Sequence, residues 1–272
     1  MTLNISVEQM LIASSLIVVA MVISSWQKLD LTKNLFIGAI RACVQLMFMG
    51  YVLVWVFEST NFGLIVALLL FMIGLAAYTA ASRQGTDSIN RRRVGLYAFL
   101  SIFLSSSFTL VFVTQMVIRI DPWYSPQYWV PLGGMIIVNS MNAAALGAER
   151  FLTELAARRF EVETLLAMGA SPRQACRNLY RKAVSAAMMP TINSMMVVGL
   201  VSIPGMMSGQ ILSGVSPLLA IRYQLIVQFM VAATAAITSC TLIMLYGRSF
   251  FESSSQSLRL DRILGHEIKK NP

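Results

Sequence analysis

The stretch EVETLLAMGASPRQACRNLYRKAVSAAMMP, residues 161–190, decides how the chain is to be read, because it is the one long charged segment enclosed by apolar ones. It belongs in water. Residues 160–168 have helical spacing, with Val162, Leu165 and Leu166 apolar and Glu161 and Glu163 in the first turn, where carboxylates suit a helix N-terminus. Gly169 supplies the left-handed residue that closes a helix, and Ser171-Pro172-Arg173-Gln174 reads as N-cap, first-turn proline and capping-box glutamine. A second helix carrying Arg173, Arg177, Arg181 and Lys182 starts at once and runs toward an apolar span beginning near Ala183. The expectation is a basic helix-turn-helix at a membrane surface.

The flanking composition agrees. Of 272 residues, 57% are hydrophobic and 12% charged, and the mean hydropathy is +0.69, which places the chain among polytopic all-α membrane proteins. Runs long enough to span, at roughly 20 residues each, occupy residues 10–26, 35–57, 62–81, 94–118, 129–147, 183–203 and 217–246. That gives about seven transmembrane helices in a single domain over 1–272, with a coupling segment at 148–185 and a tail at 248–272. The N-terminal run lacks a basic leader and a small-residue cleavage site, so it reads as a retained span.

Charge sorts by loop. Lys28 and Lys33 follow the first span, Arg83, Arg91, Arg92 and Arg93 the third, seven Lys or Arg from Arg150 to Lys182 the fifth, and Arg248, Arg259, Arg262, Lys269 and Lys270 the last. The alternate loops hold one between them, Arg119. By the positive-inside rule the N-terminus is outside and the C-terminus cytoplasmic, in a cell inner (plasma) membrane. The net charge of +9 is therefore topology and not a nucleic-acid footprint. Trp123, Tyr124, Tyr128 and Trp129 cluster in an outer loop, where aromatic residues anchor a bilayer interface.

Catalysis has no foothold in the sequence. Cys43, Cys176 and Cys240 are isolated, His266 is the single histidine, and neither a phosphate-binding GxxxxGK[ST] loop nor a nucleophile-base pair is present. Any ATP-driven work would need another polypeptide to hold ATP and magnesium. The polar residues within spans are the remaining candidates. Arg41 and Gln45 lie one turn apart in the second span, where Arg41 either snorkels or faces a translocation path. Asn139 and Asn142 share a face of the fifth span, with Gly133, Gly134 and Gly147 permitting close helix approach; they either glue helices or line a pore, together with Asn193. Pro204 should break the sixth span, and Gly205-Met206-Met207-Ser208-Gly209 has too many glycines for a stable helix, leaving either a packed external turn or an outer gate.

Two resemblances sharpen this reading. Glu163 precedes Gly169 by the E-A-A-x-x-x-G spacing of the cytoplasmic loop of ABC-transporter permeases, with Leu179 at the position of its isoleucine, although Thr164-Leu165 replaces Ala-Ala and Arg181-Lys182 replaces Leu-Pro. VGLVSIPGMMSGQILSGVSP with AIRYQLIVQFM (198–217 and 220–230) resembles the FetB-type ABC permeases, as do RACVQLMFMGYVL, VPLGGMIIVNSMNAA and MGASPRQACRNLYRKAVSAAMMPTINSMM. That family includes bacterial iron-export permeases and plant relatives linked to aluminium tolerance. The resemblance implies a non-enzymatic permease, paired as a homodimer with a cytoplasmic FetA-like ATPase, and an ATPase-coupling role for Glu163, Gly169, Ser171, Pro172 and Arg173. Iron is implied by the family alone, because the spans lack carboxylate and histidine ligands and the 18 methionines are soft ligands and adaptable packers. Another solute, such as a nucleotide sugar, and an ATP-independent secondary transporter stand as alternatives, the second weakened by the absence of Asp or Glu within the spans.

Overall fold

The computed structural model describes residues 6–29, 31–59, 61–83 and 88–251, so the tail at 252–272, with His266, lies outside the described residues. Among the described residues ten α-helices follow one another: α1 (Val7–Trp26), α2 (Thr32–Ser59), α3 (Phe62–Ser82), α4 (Ser88–Phe112), α5 (Pro126–Ala157), α6 (Arg159–Ala167), α7 (Pro172–Ala175), α8 (Arg177–Val197), α9 (Gly205–Leu212) and α10 (Pro217–Arg248). A π-helical turn, Val113–Ile118, extends α4 and ends at Arg119, which is left-handed at φ 55°. Local chemistry sets the starts. Ser6 forms a capping box with Gln9, the Asn61 side chain accepts the Gly63 amide at 2.9 Å, and proline opens α5 and α10.

Helices α3, α4, α5, α8 and α10 form the bundle, with α10 packed on α4, α5 and α8. Small residues let the helices close up. A Cβ on Gly133 would stand 2.5 Å from a Leu69 methyl of α3, and one on Gly147 3.0 Å from Ile243 of α10 and 3.3 Å from Ala187 of α8, as the sequence predicts for these glycines. The hydroxyls of Ser105 and Thr238 tie α4 to α10 at 2.6 Å. Helices α1 and α2 pack on each other and reach the bundle chiefly through α2 against α5, so most of their surface faces away from it.

Six of these helices, α1 to α5 and α10, are long and apolar enough to cross a membrane. The expected seventh differs. Helix α8 carries Arg177, Arg181 and Lys182 in its first two turns and ends at Val197, so its apolar part is too short to qualify alone. The break foreseen at Pro204 begins earlier, at extended Val198 and left-handed Gly199 (φ 84°), where the Gly199 amide donates to the Ser202 carbonyl at 2.9 Å. The expectation that residues 205–209 are non-helical is overturned, since they open α9. Pro204 caps that helix, the Ser208 hydroxyl donates to the Pro204 and Gly205 carbonyls, Met206 packs on the core, and α9 lies against α10; tertiary packing outweighs the low propensity of two glycines.

The aromatic residues around the start of α5, expected to anchor a bilayer interface, pack mostly on one another. Trp123, Tyr124 and Trp129 form one cluster with Phe62, which pins the α5 start to the α3 start, and the buried Trp129 indole donates to the Trp123 carbonyl at 2.6 Å, holding the preceding loop to α5. Tyr128 alone of the four stays outside this cluster, exposed as an interfacial anchor would be.

Candidate functional site at the two ends of α8

The N-terminal end of α8 meets the helix-turn-helix. Helix α6 lays Val162, Leu165 and Leu166 on the bundle core, which accounts for the apolar stripe in the sequence. Its C-terminus closes through two bonds, Gly169 amide to Leu166 carbonyl at 2.9 Å and Ala170 amide to Leu165 carbonyl at 3.0 Å, with Gly169 at φ 90°. Ser171 and Gln174 then form the reciprocal capping box, the Ser171 amide donating to Gln174 Oε1 at 2.9 Å. Helix α7 lasts one turn. Cys176 is buried beneath it, and burial pushes its thiol up to about 12, so it stays protonated and packs as a small apolar residue.

Around this turn Glu163, Ser171 and Pro172 are half-buried and Gly169 and Arg173 exposed. A feature that the sequence reading passed over lies on the opposite face of α6. Phe160 is 68% exposed and Met168 71% exposed, eight residues apart with Thr164 and Ala167 between them on one side of the helix. Two apolar stripes on one short helix were legible from the spacing of Phe160 and Met168, but only the buried one was assigned.

At the other end of α8 the predicted path residues do not all converge. The Asn139 amide donates to Thr191 Oγ1 at 3.3 Å and to the Val231 carbonyl at 3.2 Å, linking α5, α8 and α10 as helix glue. Asn193 is two residues past Thr191, about 200° around α8, and is exposed there. Asn142 is half-buried one turn below Asn139. Pro204, Met206, Met207 and Ser208 are half-buried, with Gly205 and Gly209 exposed, whereas Arg41 and Gln45 lie on the exposed surface of α2. Leu200 and Val201, at the tip of the break, are 91% and 80% exposed.

Gln224 and Gln228 were also missed. One turn apart on α10, each is buried with a side-chain polar atom that has no hydrogen-bond partner, Oε1 of Gln224 and Nε2 of Gln228. Their i, i+4 spacing in AIRYQLIVQFM was the available signal. No group of three or more His, Cys, Asp or Glu capable of holding a metal occurs among the described residues.

Residues 7–251 match the family described as Uncharacterised protein family (UPF0014). The chain is 37% identical over 241 residues to the UPF0014 membrane protein slr1647 of Synechocystis, covering 88% of this chain and 91% of that one. It is 34% identical over 253 residues to the "Probable iron export permease protein FetB" of Escherichia coli, covering 93% and 95%. To the Protein ALUMINUM SENSITIVE 3 of Arabidopsis thaliana it is 33% identical over 246 residues, covering 90% and 88%. No solved structure matches the chain.

Proposed function

This chain belongs to the UPF0014 family, and on that premise we propose that it is the membrane-spanning permease subunit of an ATP-driven transporter whose ATPase is a separate cytoplasmic polypeptide. The single observation that carries the proposal is the second apolar stripe of α6. Phe160 and Met168 stand on a short, rigidly capped helix that turns them away from the bundle, with the Arg159 guanidinium 4.5 Å over the Phe160 ring. Large apolar side chains in so basic a surface mark a docking face, and a short helix seated in a groove of an ATPase is the means by which nucleotide-driven closure reaches the spans. Magnesium and ATP belong to that partner, and iron is the cargo suggested by the name of the Escherichia coli relative.

Two copies complete the permease. Irregular backbone at membrane depth is tolerated where protein or a water-filled cavity covers it, and the apolar tip at Leu200 and Val201 has no such cover within one chain. The exposed side of α8 carries Asn178, Ser185 and Asn193, which suits a path between two protomers better than lipid. The break and α9 close that path on the outside.

The test is association. Phe160→Ala with Met168→Ala is expected to insert normally and to lose copurification with the coexpressed ATPase subunit; unchanged copurification removes α6 as the docking helix. Orientation is checked separately. A reporter inserted at Ala170 should be cytoplasmic and one at Ser213 external, as the distribution of Lys and Arg requires; a cytoplasmic signal at Ser213 refutes the topology.

A further inference from the structure

A groove of about 780 Å³ opens between the end of α5 and the first half of α8. Arg150, Arg158, Arg181 and Lys182 line it at the polar end, and Ser185 and Met189 line it deeper along α8. One carboxylate serves three of these cations. Glu154 accepts from Arg150 at 2.7 Å, from Arg158 Nε at 3.4 Å and from Lys182 at 3.2 Å, the last two sharing Oε2. Arg158 also reaches Glu161, at 3.5 Å, while Arg181 has no anionic partner among the described residues.

Positive charge therefore exceeds negative charge within the groove, and Glu154 holds cations from two different helices on one oxygen. Glu154 gathers the cluster without neutralising it. A fixed group of arginines with an adjacent lysine fits a tetrahedral, multiply charged oxyanion, which forked guanidinium groups and an ammonium can bind from several sides. A bare metal cation would be repelled there.

We propose that this groove is a binding site for a phosphate-bearing anion, held by Arg150, Arg158, Arg181 and Lys182. The same chemistry has two sources: a free phosphate compound from the water, or the headgroup of an anionic lipid at the membrane surface. Neither source depends on the partner ATPase, so the site stands or falls apart from the transport reading.

The experiment titrates pyrophosphate by calorimetry onto the full chain in nanodiscs, at constant ionic strength, with chloride as the competing salt. In phosphatidylcholine discs saturable binding is expected, weakened about tenfold or more by Arg181→Gln with Lys182→Gln, since charge-assisted bonds are lost. The conservative pair Arg181→Lys with Lys182→Arg should retain most of it and guards against a folding failure. Discs containing phosphatidylglycerol separate the sources: pyrophosphate binding abolished there assigns the groove to the lipid headgroup, and binding retained assigns it to a soluble anion. Absence of saturable binding in phosphatidylcholine discs, or binding that the double glutamine variant leaves unchanged, overturns the proposal.

Discussion

Gly169→Val is expected to leave the protein inserted in the membrane and to reduce stimulation of the proposed ATPase subunit by more than about tenfold. The backbone there is left-handed, at φ 90°, a region that costs an L residue about 1–2 kcal/mol and a β-branched one more. A Cβ at this position meets nothing within 4 Å, so the penalty is conformational and not steric. Relief requires opening the two bonds to Leu165 and Leu166, which changes the angle between α6 and α7. The buried stripe at Val162 and the long spans are untouched, so insertion survives, but a cost of roughly 2 kcal/mol shifts a local equilibrium by about thirtyfold. Nucleotide hydrolysis by the reconstituted complex is the measurement; Gly169→Ala should fall between wild type and valine. Wild-type hydrolysis by the valine variant would show that the turn does not transmit coupling.

What the sequence made legible follows from which forces are local. Hydropathy located six spans, five within a few residues and the fifth ten residues short at its C-terminal end, because a bilayer demands a long apolar run whatever packs beside it, whereas α5 continues past that run to Ala157. The cap at Ser171 and Gln174 and the closure at Gly169 were legible for the same reason, each being a bond between residues a few positions apart. Tertiary effects were not. Helix α9 forms on two glycines because α10 supports it, and Asn139 becomes glue because Thr191 and the Val231 carbonyl come within reach. The groove was equally hidden, since Arg150 and Lys182 are 32 positions apart and only the packing of α5 on α8 brings them to one carboxylate. Whether an exposed apolar residue faces lipid or a partner is likewise outside local pattern, which is why Phe160 went unassigned beside Val162.

Gly247→Val is expected to be the most damaging single substitution near the start of α8, because the residue it meets cannot give way. A Cβ on Gly247 would stand 2.5 Å from Cε1, 2.6 Å from the hydroxyl and 2.9 Å from Cζ of Tyr180. That ring is already held from its other side, stacked on buried Phe151 at 5.3 Å and 7° between planes. Phe151 in turn meets Tyr246 and Phe250 at 6.2 and 6.1 Å, all four rings lying where α5, α8 and α10 converge. A rigid ring between a packed phenyl and an added side chain can move only by parting α8 from α10, a strain of about 1–3 kcal/mol for overpacking. Tyr180 lies near the start of α8, just beyond the one-turn α7, so the same displacement shifts the helix-turn-helix and should uncouple the proposed ATPase subunit. A double-mutant cycle with Tyr180→Ala separates these effects. Alone, Tyr180→Ala leaves a cavity and destabilises; combined with Gly247→Val, the valine occupies the vacated space, so thermal unfolding of the double variant should show less than the sum of the single losses by about 1 kcal/mol or more. Strict additivity would mean that valine meets something other than the tyrosine, and would detach the seating of α8 from the contact at Gly247.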